Sequence, residues 1–260
     1  MALELTREQE RILEHDPRRH ARVLAGPGTG KSTTMVALLR RIHHRHRTLR
    51  AKMLTFTRAA TAELAAKLPP EVRETQRPST IHSFAISVLL MNPGAGGFPE
   101  PLRVADTWEM MKLVKPTLAA RIGVPLGGLQ KLLAEMAANW ESLSPEVDKQ
   151  IDDALRRRFQ AAWAEHRAFL GYTLLEELPY ALLGALESHR RLNAIDYDVL
   201  LVDEYQDLNA CDLKVVKLLS EKSGTAIIGT GDDDQSVYSF RKAAPEGIRR
   251  FALDYAGAAD

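Results

Sequence analysis

Near its start the chain carries Ala25-Gly26-Pro27-Gly28-Thr29-Gly30-Lys31-Ser32-Thr33. Glycines at this spacing let a backbone wrap close around a polyphosphate, because no Cβ blocks the approach. Wrapped N–H groups and the positive end of a following helix would face the anion. Lys31 adds a full charge aimed at β- and γ-phosphates, and Ser32 adds a hydroxyl suited to Mg²⁺. The strict form of this pattern opens on Gly; here the position is Ala25, small enough to fit. Far along the chain, Asp203 and Glu204 follow an apolar run. One carboxylate at a strand end can hold Mg²⁺, and its neighbour can orient or deprotonate an attacking water. A third polar burst runs from Gly231 to Arg241 and contains Asp232, Asp233, Asp234 and Gln235. Three adjacent aspartates rarely converge on one ion, so the better reading is a turn from which Gln235 reaches the nucleotide. Tyr238, Phe240 and Arg241 mix aromatic faces with a cation, a set suited to single-stranded nucleic acid. For Tyr238 and Phe240 a core role fits the pattern equally well.

These groups need elements that bring them together. Arg22-Val23-Leu24 reads as a buried strand before the glycine turn, and Met35 to Ile42 as the helix after it. Lys52 to Thr57 reads as a second strand, followed by an Ala-rich helix from Ala59 to Leu68 that Pro69-Pro70 stops. Ser79 to His82 reads as a brief third strand feeding a helix from Ser83 to Met91. Tyr197 to Val202 and Thr225 to Thr230 read as further strands, with a helix from Cys211 to Leu219 that turns Lys214 and Lys217 outward. In an open parallel sheet, ligands collect beyond the carboxyl ends of strands. Thr57, Arg58, Thr80 and His82 lie at such ends, although His82 also suits a core or capping role. Thr6 and Gln9 have capping-box spacing, and Leu5, Gln9, Ile12 and Leu13 share a helical face.

Asn92 to Pro101 is the clearest linker. After it, helical patterns dominate around residues 108–113, 129–140, 145–170 and 174–192. Trp140, Phe159, Trp163 and Phe169 are expected in the core of that region, and Arg156-Arg157-Arg158 on a solvated face. The predicted organisation is a discontinuous α/β domain, residues 1–91 and 195–260, carrying an all-helical insertion at 92–194.

With 35 basic and 34 acidic side chains the net charge is +1, so a nucleic-acid surface has to be a local patch. Arg40 to Arg50, crowded with Arg and His, reads first as a solvated helix end and second as a phosphate-facing patch. His43, His44 and His46 have no carboxylate or thiolate cluster that would make them metal ligands. One cysteine, Cys211, excludes a disulfide framework and reads as a small buried apolar residue. A charged N-terminus and the lack of any apolar run of about 18 residues predict a soluble, cytoplasmic protein without membrane contact.

Taken in order, these blocks resemble the UvrD/Rep family of superfamily-one DNA helicases. The matching stretches are Leu5-Thr6 with Gln9 (Q motif), 25–33 (motif I), 54–64 (motif Ia), 79–84 (motif Ib), 200–207 (motif II) and 231–241 (motif III). The resemblance implies a RecA-like P-loop parallel sheet with helices on both faces, using ATP and Mg²⁺. It implies that Gln9 reads adenine. Gly26, Gly28, Thr29, Gly30, Lys31, Ser32 and Thr33 would cradle the phosphates, and Ser32 with Asp203 would hold Mg²⁺. Glu204 would be the catalytic base, and Gln235 would sense the γ-phosphate. Phe56, Arg58, Thr80, His82, Tyr238, Phe240 and Arg241 would line a single-stranded DNA path. Many members have Trp where Phe240 stands and Arg where Thr33 stands, which weakens one stacking surface and removes one nucleotide contact. Motifs IV to VI and their arginine fingers are absent from these 260 residues. The expectation is a motor half that binds ATP and single strands but needs a second RecA-like domain, in cis or in trans, to hydrolyse fast; such a finger is worth about 10³–10⁵ in rate. The competing expectation is a regulatory or nucleic-acid-binding module that keeps ATP as a ligand. A small-molecule kinase would share the loop without needing Tyr238, Phe240 and Arg241.

Overall fold

The computed structural model describes residues 6–26, 28–145, 148, 151–189, 191–232 and 246–259. In chain order the elements are α1 (Arg7–Glu14), β1 (Ala21–Leu24), α2 (Lys31–Arg45), β2 (Ala51–Thr55), α3 (Arg58–Lys67), α4 (Pro70–Thr75), β3 (Ser79–Thr80) and α5 (Ile81–Leu90). There follow α6 (Thr107–Glu109), a π-helical turn (Met110–Val114), α7 (Lys115–Ile122), α8 (Leu126–Ser142), α9 (Asp153–Leu170) and α10 (Leu178–Ser188). The chain then forms β4 (Val199–Val202), α11 (Ala210–Ser223), β5 (Ala226–Gly231), α12 (Glu246–Arg249) and α13 (Phe251–Asp254).

Two compact units result: 1–84 with 193–260, and 85–192. The first is built on a five-stranded sheet in the order β1-β5-β4-β2-β3, every pairing parallel. Flanking helices make it a RecA-like α/β fold. β4 and β5 are buried along their whole length, as befits inner strands of a parallel sheet covered by helices. β1 and β2 are neighbours in sequence yet lie three places apart in the sheet, with β5 and β4 between them. The carboxyl ends of β1, β5 and β4 therefore stand side by side, with Leu24 opposite Gly231 and Val202 opposite Gly229. Ligands of open α/β sheets bind at such a reversal of strand order. Under the sheet, Met35, Leu38, Leu39 and Ile42 of α2 pack with Met53, Leu201 and Ile228, and Ile12 and Leu13 of α1 close over them.

The second unit is helical. Leu118, Ile122, Leu129, Leu132 and Phe159 form one core cluster, with Trp163 packed against it. Val114, Tyr172 and Leu174 form another, with Trp140 beside it. Phe169 departs from expectation: it is 88% exposed. Arg156 also departs. Its guanidinium grips both oxygens of Glu135, at 2.7 and 3.1 Å, and the carbonyl of Asp148, while Arg157 and Arg158 are solvated. In the first unit α3 ends at Lys67, capped by Leu68 just before Pro69-Pro70, as expected, and Pro70 also opens α4, which suits proline at a first turn. The third strand ends at Thr80, so His82 lies in the first turn of α5.

Candidate nucleotide and nucleic-acid site

β1 ends in the glycine turn. Gly28 and Gly30 sit at φ +70° and +85°, where a side chain would be strained, and Gly30 caps α2 in that left-handed conformation. Thr29 Oγ1 donates to the Gly26 carbonyl at 2.8 Å and holds the turn closed. No side chain caps α2, so its first N–H groups stay available at the positive end of a 15-residue helix. Lys31, Ser32 and Thr33 open that helix. Gln9 closes the capping box of α1 with Thr6, and its Nε2 donates 3.1 Å to the Thr29 carbonyl. A Cβ on Gly30 would come within 2.9 Å of that same nitrogen.

β4 delivers the carboxylates. Asp203 is buried, and its Oδ1 accepts from Thr230 Oγ1 at 2.9 Å and from the Glu204 N–H at 3.1 Å. Burial raises its pKa; the Thr230 bond opposes this and the Glu204 charge adds to it. Glu204 holds φ +51°, ψ +50°, a strained setting for a residue with a Cβ, and such strain clusters at working sites. Its Oε2 lies 3.2 Å from Lys31 Nζ. The turn after β1 and the carboxylate pair after β4 thus meet at one sheet edge.

Two residues at this edge were not anticipated. Gln206 is buried, donates from Nε2 to Glu204 Oε2 at 2.8 Å, and accepts at Oε1 from the Asp232 N–H at 3.2 Å. It therefore ties the end of β4 to the segment leaving β5. Gly231 makes room for it: a Cβ there would lie 2.2 Å from Gln206 Oε1. The sequence signal was faint, a single amide inside a polar run. Asp207 is the second. It is 5% exposed, its Oδ1 has no hydrogen-bond partner, and burial, together with the Glu204 charge, pushes its pKa to about 6 against the pull of Lys31.

Farther along the same edge, Thr55 pairs with Thr80, so β2 and β3 release the chain at neighbouring points. Phe56 is half-buried there and Arg58, the first residue of α3, is exposed. Thr80 is buried and its hydroxyl accepts from the Ser83 N–H at 3.1 Å, while His82 is half-buried. Gln235, Tyr238, Phe240 and Arg241 lie outside the described residues, as does Leu5; the third polar burst can be followed to Asp232. Among the described residues no group of three or more His, Cys, Asp or Glu is placed to hold a metal, and no helix is long and apolar enough to cross a membrane.

Residues 5–256 match the family model for the UvrD/REP helicase N-terminal domain. The chain is 26% identical to DNA helicase II of Salmonella typhimurium over 98% of its own length and 37% of that protein's. It is 29% identical to ATP-dependent DNA helicase Rep of Escherichia coli, covering 90% of the chain and 37% of that protein. ATP-dependent DNA helicase PcrA of Leuconostoc citreum is 26% identical, over 91% of the chain and 33% of that protein. The chain spans about a third of the length of these relatives.

Proposed function

The chain belongs to the UvrD/REP helicase N-terminal domain family, and from that membership we propose that it is the nucleotide-binding half of an ATP-dependent DNA motor. The observation that carries this reading is the 3.2 Å approach of Lys31 to Glu204, which joins the glycine turn and the carboxylate pair in one site. The residues present fit a magnesium–triphosphate. The left-handed glycines leave the cradle free of Cβ atoms, the α2 N-terminus is uncapped, and Ser32 Oγ and the Asp203 carboxylate are the oxygen donors that would hold Mg²⁺. Bound there, the metal would neutralise charge on the phosphates. Lys31 would exchange Glu204 for β- and γ-phosphate oxygens, and Glu204, held by Gln206, would accept the proton of the attacking water. Gln9 sits against the turn where a base would lie beside it.

Single-stranded DNA is proposed to cross the carboxyl ends of β2 and β3, touching Phe56, Arg58, Thr80 and His82 and continuing onto Tyr238, Phe240 and Arg241. Fast hydrolysis and movement are assigned to the chain joined with a second RecA-like domain, in line with its relatives' greater length. The test is a titration of the chain with a fluorescent ATP analogue, with and without Mg²⁺. The reading expects Mg²⁺-dependent binding that Lys31→Ala removes; binding indifferent to both would end it.

A further inference from the structure

The far end of α2 carries an excess of charge that the nucleotide site does not use. Between Asp16 and Glu63 the sequence has eleven lysines and arginines and no acidic residue, so the rest of the chain is at −10. Five of the eleven are Arg40, Arg41, Arg45, Arg47 and Arg50, interleaved with His43, His44 and His46. Arg50 pairs with Asp196. The other four arginines have no carboxylate partner among the described residues, and Arg40, Arg45 and Arg47 are exposed. A helix C-terminus attracts cations, which accounts for His43, His44 and Arg45 in the last turn. It does not account for Arg47, beyond the helix, or for what lies beside it.

His43, His44 and Arg47 line a cavity of about 480 Å³ together with Leu49, Glu71 and Gln76. Gln76 is 7% exposed, and its Oε1 is buried without a hydrogen-bond partner. A buried amide oxygen left unpaired is destabilising unless something fills the gap. A half-turn about its last side-chain bond presents NH₂ in place of oxygen, a donor to an anion. Glu71 on the same wall opposes an anion, and the Arg47 guanidinium offsets its charge. Fifteen residues of helix at about 1.5 Å each put this place roughly 20 Å from Lys31.

The geometry points to a second nucleic-acid contact: the cavity at the C-terminal end of α2 seats a backbone phosphate of DNA, and the surrounding arginines grip its neighbours. Arginine forks match phosphate oxygens, and unpaired exposed arginines release counterions when a polyanion replaces solvent. The surface is separate from the nucleotide site, so it stands or falls independently of it.

The experiment titrates the full chain with a labelled 20-nucleotide strand at several salt concentrations, beside the double variant Arg45→Glu/Arg47→Glu and the single variant Gln76→Leu. The double variant is expected to weaken binding at least tenfold and to lower the salt slope by about 1.4, the value for two lost phosphate contacts on a single strand. Gln76→Leu is expected to weaken binding several-fold with the surface charge untouched, which covers a double variant that folds poorly. Unchanged affinity and slope in both would overturn the proposal. So would an Asp/Glu-repeat peptide that binds through Arg45 and Arg47 while DNA affinity stays unaltered, since that outcome assigns the surface to an acidic protein partner.

Discussion

Lys31 Nζ stands 3.2 Å from Glu204 Oε2, and the same oxygen takes a 2.8 Å hydrogen bond from Gln206 Nε2. One carboxylate oxygen therefore receives both the Lys31 ammonium and the amide that fixes the carboxylate's direction. The side chain of Lys31 is 13% exposed and that of Glu204 is 36%, so Lys31 is the more buried member and needs another anionic partner when it leaves Glu204. Lys31→Ala removes a charged donor and is expected to weaken Mg²⁺–ATP binding by about 10- to 100-fold, the equivalent of 1.5–3 kcal/mol. Glu204→Gln frees Lys31 and is expected to keep binding or tighten it, while any hydrolysis falls by about 10²–10⁴. Equilibrium titration and a phosphate-release assay on the same preparations separate the two effects.

Gln206 makes a second prediction. Its amide spans Glu204 on one side and the Asp232 N–H on the other, and Gly231 is shaped around it. Gln206→Leu keeps the volume, releases the Glu204 carboxylate and removes the acceptor that the Asp232 N–H has in Gln206. The loss in stability is expected to be about 1–3 kcal/mol, read from the urea midpoint. Nucleotide affinity should stay within a few-fold, and any change that DNA produces in that affinity should disappear, because the link from β4 to Asp232 is cut.

Those two residues also show where the sequence was readable. The glycine turn with Lys31 and the Asp203–Glu204 pair are each marked by a short local run of residues, so spacing along the chain names them, although their meeting is a long-range contact. Gln206 acts through residue 232 and depends on the missing side chain at 231; nothing local announces either. The helical unit teaches the same lesson through periodicity. At about 100° per residue, Phe159, Trp163, His166 and Leu170 of α9 fall within roughly 60° of one another, and Arg156 falls about 60° from Phe159. Arg157 and Arg158 fall well away from that face. Phe169 sits about 80° off it on the other side, so its exposure follows from the pattern when the angle is counted instead of the aromatic residues. The five-strand order needed more than pattern, since each strand was legible but the insertion of β5 and β4 between β1 and β2 is a property of long-range pairing.

Asp207 predicts a pH dependence. Burial, followed by the charge of Glu204, holds it at about 6, with Lys31 pulling downward and Asp203 pushing upward. An unfolded aspartate titrates near 3.9. The folded chain therefore binds this proton more tightly than the unfolded chain does. The stabilisation is complete below about pH 4 and is lost as pH rises through about 6. Asp207→Asn removes that loss. Two units at about 1.4 kcal/mol each set a ceiling, and screening at the rim of the site brings the expected gain at pH 7.5 to on the order of 1 kcal/mol. At pH 4 variant and parent should agree. Urea midpoints in Mg²⁺-free buffer at both pH values test this, and a gain of equal size at pH 4 would refute it.

In the helical unit, Arg167 and Glu177 are each 9% exposed and meet at 2.6 Å. Thr173 Oγ1 donates to the other Glu177 oxygen at 2.6 Å, and the guanidinium lies 4.5 Å from the centre of the Trp163 ring. Apart from a long 3.4 Å bond from Nη2 to the Gly97 carbonyl, these partners of Arg167 come from the loop before α10 or from its own helix, so the cluster pins the α9–α10 connection. A buried pair of this kind adds little over an apolar pair of equal volume, yet losing one member is costly because the other charge remains buried. Glu177→Ala is expected to destabilise the unit by about 3–5 kcal/mol, whereas Arg167→Met with Glu177→Leu together should cost far less than the single change. Hydrogen exchange across α9 and α10 measures both. If the double variant is no better than Glu177→Ala, the penalty comes from lost bonds rather than from a stranded guanidinium, and the connection is held by the charge pair itself.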